Sequence, residues 1–137
     1  MADLTVTAAN VTQVDGGVID GIAGETITAG QAVYLDTTTG LFMKAINNST
    51  AAIATVAGIA LHGSALNQPL RVQASGTINA GATVAIGVTY CLSATSGGIC
   101  PDTDVGTGNT KYKSVIGVGT TAARLAININ NSGVKVA

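Results

Sequence analysis

Short runs of alternating apolar and polar residues fill this chain, and turn residues break them about every 8–12 positions, the spacing of short strands. From Gly24 to Ala45 the pattern reads strand, glycine turn, strand, turn, strand. Side chains alternate along a strand, so Val33 and Leu35 point one way and Tyr34 the other. Asp36 can open the next turn by bonding its own backbone, and Gly40 can supply the positive φ at which the chain reverses. Leu41, Met43 and Ala45 are then expected on the face of Val33 and Leu35, with Phe42 and Lys44 on the other. An apolar face of this kind needs a second sheet to cover it.

The rest of the chain offers one by repetition. The segment from Gly30 through Val33, Leu35, Thr38 and Gly40 to Phe42 aligns without gaps with Gly87, Tyr90, Leu92, Thr95, Gly97 and Ile99, 57 positions later. Val56 to Ala60 matches Val115 to Gly119, Leu70 and Val72 resemble Leu125 and Ile127, and Thr26 to Gly30 resembles Thr77 to Gly81. The order is the same in both halves. The pattern predicts a degenerate duplication, two β-units of roughly 50–55 residues (about 26–76 and 77–131) that close one core together.

Residues 1–14 alternate as well, with Leu4, Val6, Ala8, Val11 and Val14 as the apolar positions and no adjacent hairpin partner. Glycines at 16, 17, 21 and 24 follow, so the reading is an N-terminal arm and flexible joint over 1–24 and a single β-domain over 25–137. An unpaired strand on such a joint can fray, fold back, or add to another chain's sheet. Further on, Ile53 to Leu61 reads as a buried strand and Leu70 to Ala74 as another. The segment 101–110 reads as a long polar loop, Val115–Val118 and Leu125–Ile129 as strands, and residues 130–133 as the end of the fold. No stretch has the pattern of a long amphipathic helix. The fold class expected is all-β, a small barrel or sandwich of two pseudo-repeated hairpin units with an extended arm.

Composition sharpens this picture. Of 137 residues 47% are hydrophobic, but only 9% are charged and 3% aromatic, with 18 glycines. The charged share is about a third of the ~25% usual for a soluble domain, which suits a surface that spends its life covered. The net charge is -1 and the six Lys and Arg residues are scattered. Nucleic-acid binding needs a basic patch, and none is written here. The first residues lack the basic and apolar regions of a signal peptide, and the apolar run from Ala51 to Leu61 is too short to span a bilayer. A cytosolic site of synthesis and no membrane partner are expected.

Candidate chemistry is sparse. If Leu92 opposes Ile99 in the second hairpin, Cys91 opposes Cys100, and directly opposed strand positions can bring Cβ atoms to disulfide distance. Buried thiols and a disulfide formed in an oxidising medium both remain open; the spacing is not that of a redox-active C-x-x-C pair. Asp102 and Asp104 resemble the first half of a calcium loop whose later ligands are missing. His62, the only histidine, precedes Gly63-Ser64; a triad or zinc site would need Ser, Cys or carboxylate partners brought to it in space, the seven acids are spread thinly, and no catalytic motif is present. No enzyme activity, cofactor or metal is expected.

The opening residues 1–10, the run from Ile27 to Tyr34, Gly58 to Leu61, Gln68 to Gln73, and Leu92-Ser93 followed by Gly97 to Pro101 together resemble head decoration (cement) proteins of tailed bacteriophages over nearly the whole chain. The resemblance implies a compact β-domain, made in the bacterial host cytoplasm. It would bind the outside of an assembled capsid, with the major capsid protein as partner, commonly as a homotrimer, and stiffen the shell. On that reading Ala2 to Val14 carry much of the binding. The alternative is a receptor- or glycan-binding β-module of a tail fibre or spike, which would need an exposed aromatic cluster such as Tyr34 with Phe42.

Overall fold

The structure, a computed structural model, describes residues 3–106 and 109–136. It is all-β. The strands in chain order are β1 Val11–Gln13, β2 Val18–Ile22, β3 Ala32–Leu35, β4 Phe42–Lys44, β5 Gly58–Ala60, β6 Pro69–Gln73, β7 Gly76–Ala80, β8 Thr89–Leu92, β9 Ile99–Pro101, β10 Tyr112–Gly119 and β11 Arg124–Lys135, with a one-turn helix α1 at Asp102–Val105. They form a six-stranded sheet in the order β1-β7-β11-β10-β8-β9 and a five-stranded sheet in the order β2-β6-β5-β3-β4.

The five-stranded sheet curls until its two edges touch. Ala23, just past β2, bridges Phe42 of β4, and the Gly24 amide donates to the Phe42 carbonyl at 2.8 Å. Closure hides the backbone groups that an open edge would leave bare. The Phe42 ring lies across the curl against the bare Cα of Gly21, where a Cβ would collide with it. Val33, Ala60, Leu70, Val72, Ile27 and Ala23 fill the space around the ring. The convex side of the same sheet packs on the six-stranded sheet, with Ala32 and Ile59 meeting Ile78, Tyr90, Leu92, Ile116 and Leu125. β5 and the first half of β3, Ala32 and Val33, are therefore buried on both faces, which is why they read as apolar runs rather than a clean alternation.

The two halves share a strand order. Positions β4-β3-β5-β6 in one sheet recur as β9-β8-β10-β11 in the other. The pairing agrees residue by residue with the sequence alignment. Leu35 faces Phe42 and Leu92 faces Ile99, 57 positions on in both strands. Val33 faces Gly58 across to β5, and Tyr90 faces Gly117 across to β10. The turns match too: the Thr38 amide donates to the Asp36 side chain at 2.9 Å, and the Thr95 amide to the Ser93 hydroxyl at 2.8 Å. Only the last pair of strands drifts. Ala60 faces Val72 where Gly119 faces Leu125, so pairing equates Leu125 with Val72 rather than with Leu70. A two-residue slip keeps every side chain on its face.

Several expectations need correction. The register of the first hairpin is one residue off the expected one: Tyr34 faces Met43 and Leu35 faces Phe42. Phe42 thus joins Val33 inside the curl. The run Ile53–Leu61 is a strand only at Gly58–Ala60, because Ala51–Ala54 turn, with the Ala54 amide donating back to the Thr50 carbonyl at 3.0 Å. Residues 130–133 do not end the fold: β11 passes through them to Lys135, with Gly133 at φ +67° in a register shift. Part of the expected polar loop after Ile99 is α1; residues 107 and 108 of it lie outside the described residues.

No break separates residues 3–24 from the rest. β1 is the edge strand of the six-stranded sheet and β2 an edge strand of the five-stranded one. The expected pliable joint at Gly16-Gly17 is a tight crossing between the sheets. It runs back to back with a second crossing at Ser75-Gly76, so close that a Cβ on Gly16 would overlap the Ser75 backbone. Gly16 needs its φ of +105° to make this turn. Gln73, fully buried, ties the two crossings: its Nε2 lies 2.6, 2.9 and 3.0 Å from the carbonyls of Asp15, Ser75 and Thr77.

Asn131 performs a similar task for the loop before β5. Its side-chain amide donates to the Val56 carbonyl at 3.0 Å and its Oδ1 accepts the Val56 amide at 2.9 Å. Asn131→Ala would strand both backbone groups of buried Val56. It is expected to lower the free energy of unfolding by about 1–3 kcal/mol, read from urea denaturation.

Candidate docking surface

The N-terminal segment lies across one end of the molecule, between β9 and the 81–85 loop. Two main-chain bonds hold residues 3–10 to that surface: the Leu4 amide donates to the Ile99 carbonyl at 2.8 Å and the Thr7 amide to the Gly81 carbonyl at 2.7 Å. The Ser93 hydroxyl adds a bond to Asp3 at 2.8 Å. Open clefts of about 500, 410 and 320 Å³ flank the segment on both sides. Leu4 and Val6 are half-buried against the inter-sheet core, and the Val6 side chain fills the space over Gly30.

This placement divides the five apolar positions expected to bind a partner. Val11 is buried, Leu4 and Val6 pack on their own domain, and only Ala8 and Val14 are exposed. The segment has folded back, so its apolar row is used within the chain. The alternation was read correctly, but a 3-10 turn at Ala8–Asn10 breaks the extended run. What the segment leaves open is backbone. β1 is the terminal strand of its sheet, and among the described residues no strand lies on its other side.

The outer face of the six-stranded sheet adjoins that edge. Register places Thr12, Asn79 and Arg124 in one row across it, and Thr77, Ala126, Val118 and Thr89 in the next. Arg124 is the single charge in those rows. The short Thr, Asn, Ala and Val side chains make a nearly uncharged platform, a feature the sequence showed only as low overall charge.

The remaining candidates are scattered. Cys91 faces Cys100 as the hairpin alignment requires, and both are buried free thiols. Burial pushes the Cys91 thiol up, and pushes Cys100 up to about 11 with help from the carboxylates of Asp3 and Asp104. Asp102 forms an ion pair with Lys113 and accepts the Cys91 thiol at 3.6 Å. Among the described residues no group of three His, Cys, Asp or Glu is placed to hold a metal ion.

His62 is exposed and structural. The Arg71 amide donates to its Nε2 at 3.1 Å, which makes Nε2 the acceptor and leaves Nδ1 to donate to the Gly63 carbonyl at 2.9 Å. Tyr34 and Phe42 stand on opposite faces of their sheet, and Phe42 is buried. They cannot form the stacking platform that a sugar-binding reading requires. Among the described residues no helix is long and apolar enough to cross a membrane. No known protein-family model matches the chain, and no curated protein matches it.

Proposed function

We propose that this chain is a structural virion protein that binds the outer surface of an assembled phage capsid and stabilises it. In this reading the major capsid protein is its partner, it acts as a homotrimer, and it has no catalytic role. The observation that carries the reading is the open edge of β1, continuous with a lightly held N-terminal segment and bordered by a nearly uncharged sheet face. An open strand edge takes an extended segment of another chain through main-chain bonds, which need few side-chain anchors. That matters here, because the chain has no Trp and few aromatics, the residues that usually dominate interface energetics. The resemblance to head decoration proteins supplies the identity of the partner. A specific interface needs about 1,000 Å² of buried surface, which the edge, residues 3–10 and the neighbouring rows together can offer.

The test is occupancy on purified shells. The full chain is expected to co-sediment with capsids of its phage and to raise their resistance to heat or chelation. Deleting residues 2–10 keeps β1 and the buried Val11, and is expected to reduce occupancy at least tenfold while circular dichroism stays unchanged. A full chain that ignores shells overturns the proposal. Full occupancy by the shortened chain overturns the role given to the N-terminal segment.

A further inference from the structure

Cys91 and Cys100 are the only cysteines of the chain, so neither has a competing partner within it. Two positions along the same hairpin the Ser93 amide donates to the Gly98 carbonyl at 3.0 Å. Ladder bonds recur at every second pair of an antiparallel ladder, which puts Cys91 and Cys100 at a hydrogen-bonded pair with Cα atoms about 5.5 Å apart. Disulfides span about 4.4–6.8 Å between Cα atoms. Both side chains point away from the inter-sheet core, into a small patch closed by Val105 of α1, Val115 and Val136. The equivalent place in the first half holds Tyr34 and Met43.

We propose that Cys91 and Cys100 form a cross-strand disulfide by exchange with a small-molecule disulfide, clamping β9 to β8 under the α1 cap. One cysteine thiolate attacks the small disulfide, forming a mixed disulfide and expelling one small thiolate. The second cysteine thiolate then attacks the protein sulfur of that mixed disulfide, forms the Cys91–Cys100 bond and expels the other small thiolate. The protein gives up two electrons and two protons; the small disulfide is reduced to two thiols. The clamp acts on the strand whose Ile99 carbonyl holds the Leu4 amide, so it fixes the seat of the N-terminal segment.

The surroundings make the reaction slow at neutral pH. α1 brings Asp102 and Asp104 to the pair, the N-terminal segment brings Asp3, and Lys111 and Lys113 partly offset them. Raised thiols hold little thiolate near pH 7, and the thiolate fraction climbs about tenfold per pH unit until the pH nears the folded pKa. Closure is therefore expected to accelerate with pH, and the pair stays reduced in a cytosol.

The experiment incubates the folded, full-length chain with excess oxidised glutathione at pH 7, 8 and 9, quenches in denaturant with N-ethylmaleimide, and reads intact mass and linked peptides. The expected product is a monomer lighter by two hydrogens, unlabelled, with residues 91 and 100 in one cross-linked peptide. Its rate should rise about tenfold per pH unit. Cys91→Ala and Cys100→Ala are each expected to stop at the glutathione adduct. The proposal is overturned by stable glutathione adducts on the unsubstituted chain, by chain-to-chain dimers, or by two free thiols after conditions that fully oxidise the urea-unfolded chain.

Discussion

Gly58→Ala and Gly117→Ala are each expected to lower the free energy of unfolding by about 3 kcal/mol, a large fraction of the stability of an ordinary domain. The two glycines hold equivalent places in the two halves, facing Val33 and Tyr90 respectively. A Cβ on Gly58 would fall on the Gln73 carbonyl oxygen, and one on Gly117 on the Ala126 carbonyl oxygen. Neither obstacle is the end of a flexible side chain. Each is backbone of the neighbouring strand, and moving it breaks the ladder. Gly40→Ala makes the contrast. It has open space around it but a φ of +74°, so its cost is the backbone penalty alone, about 1–2 kcal/mol. Urea denaturation of the three variants decides the matter: a Gly117→Ala chain no weaker than Gly40→Ala would mean that the strands do not approach so closely.

Phe42→Ala is expected to cost about 3–5 kcal/mol, the range for removing a buried aromatic ring. Phe42 is 3% exposed, and its ring spans the interior of the curled sheet from β4 to β2. Most neighbours cannot refill the space, since Ala23, Val33, Ala60 and Val72 are short and Gly21 has no side chain, which leaves only Ile27 and Leu70 to relax into it. The loss should be felt first where the sheet closes. Native-state hydrogen exchange of the Gly24 amide, bonded to the Phe42 carbonyl, is expected to speed up more than that of amides at the centre of β11. Uniform acceleration across both sheets would instead show that the closure has no local stability of its own.

The hairpin positions, their recurrence 57 residues apart and the all-β class are legible in the sequence, because period-two alternation and turn glycines are local signals. The register of the first hairpin was misread by one residue, although the alignment held the answer: Leu92–Ile99 sits at the same offset in both strands from Leu35–Phe42. The alternating apolar row Leu41, Met43 and Ala45 points to the other register. The strand at Gly58–Ala60 is shorter than the apolar run suggests, because Thr50 and Ala51–Ala54 carry no strong stop signal, only a hydroxyl that caps the Ile53 amide at 3.3 Å. The alternation of residues 3–14 is legible, but the strands that β1 and β2 pair with are not. β1 pairs with β7, and β2 with β6, across long stretches of intervening chain, and no local pattern encodes such partners. The nearly uncharged face of the six-stranded sheet is hidden for the same reason, since its two rows are assembled from three and four separate strands.

The antiparallel seam between β1 and β7 has a mechanical meaning. A pull on the start of the chain first strips the few bonds of residues 3–10 and then runs lengthwise along β1. Where the opposing load enters at the Gly76 end of β7, beside Gln73, its rungs to β7 are loaded side by side and give way together, as in a lap joint rather than a zip. Gln73, holding the Asp15, Ser75 and Thr77 carbonyls at one knot, passes the tension to both sheets at once. A molecule tethered by its first residues would then bear strain with its whole body.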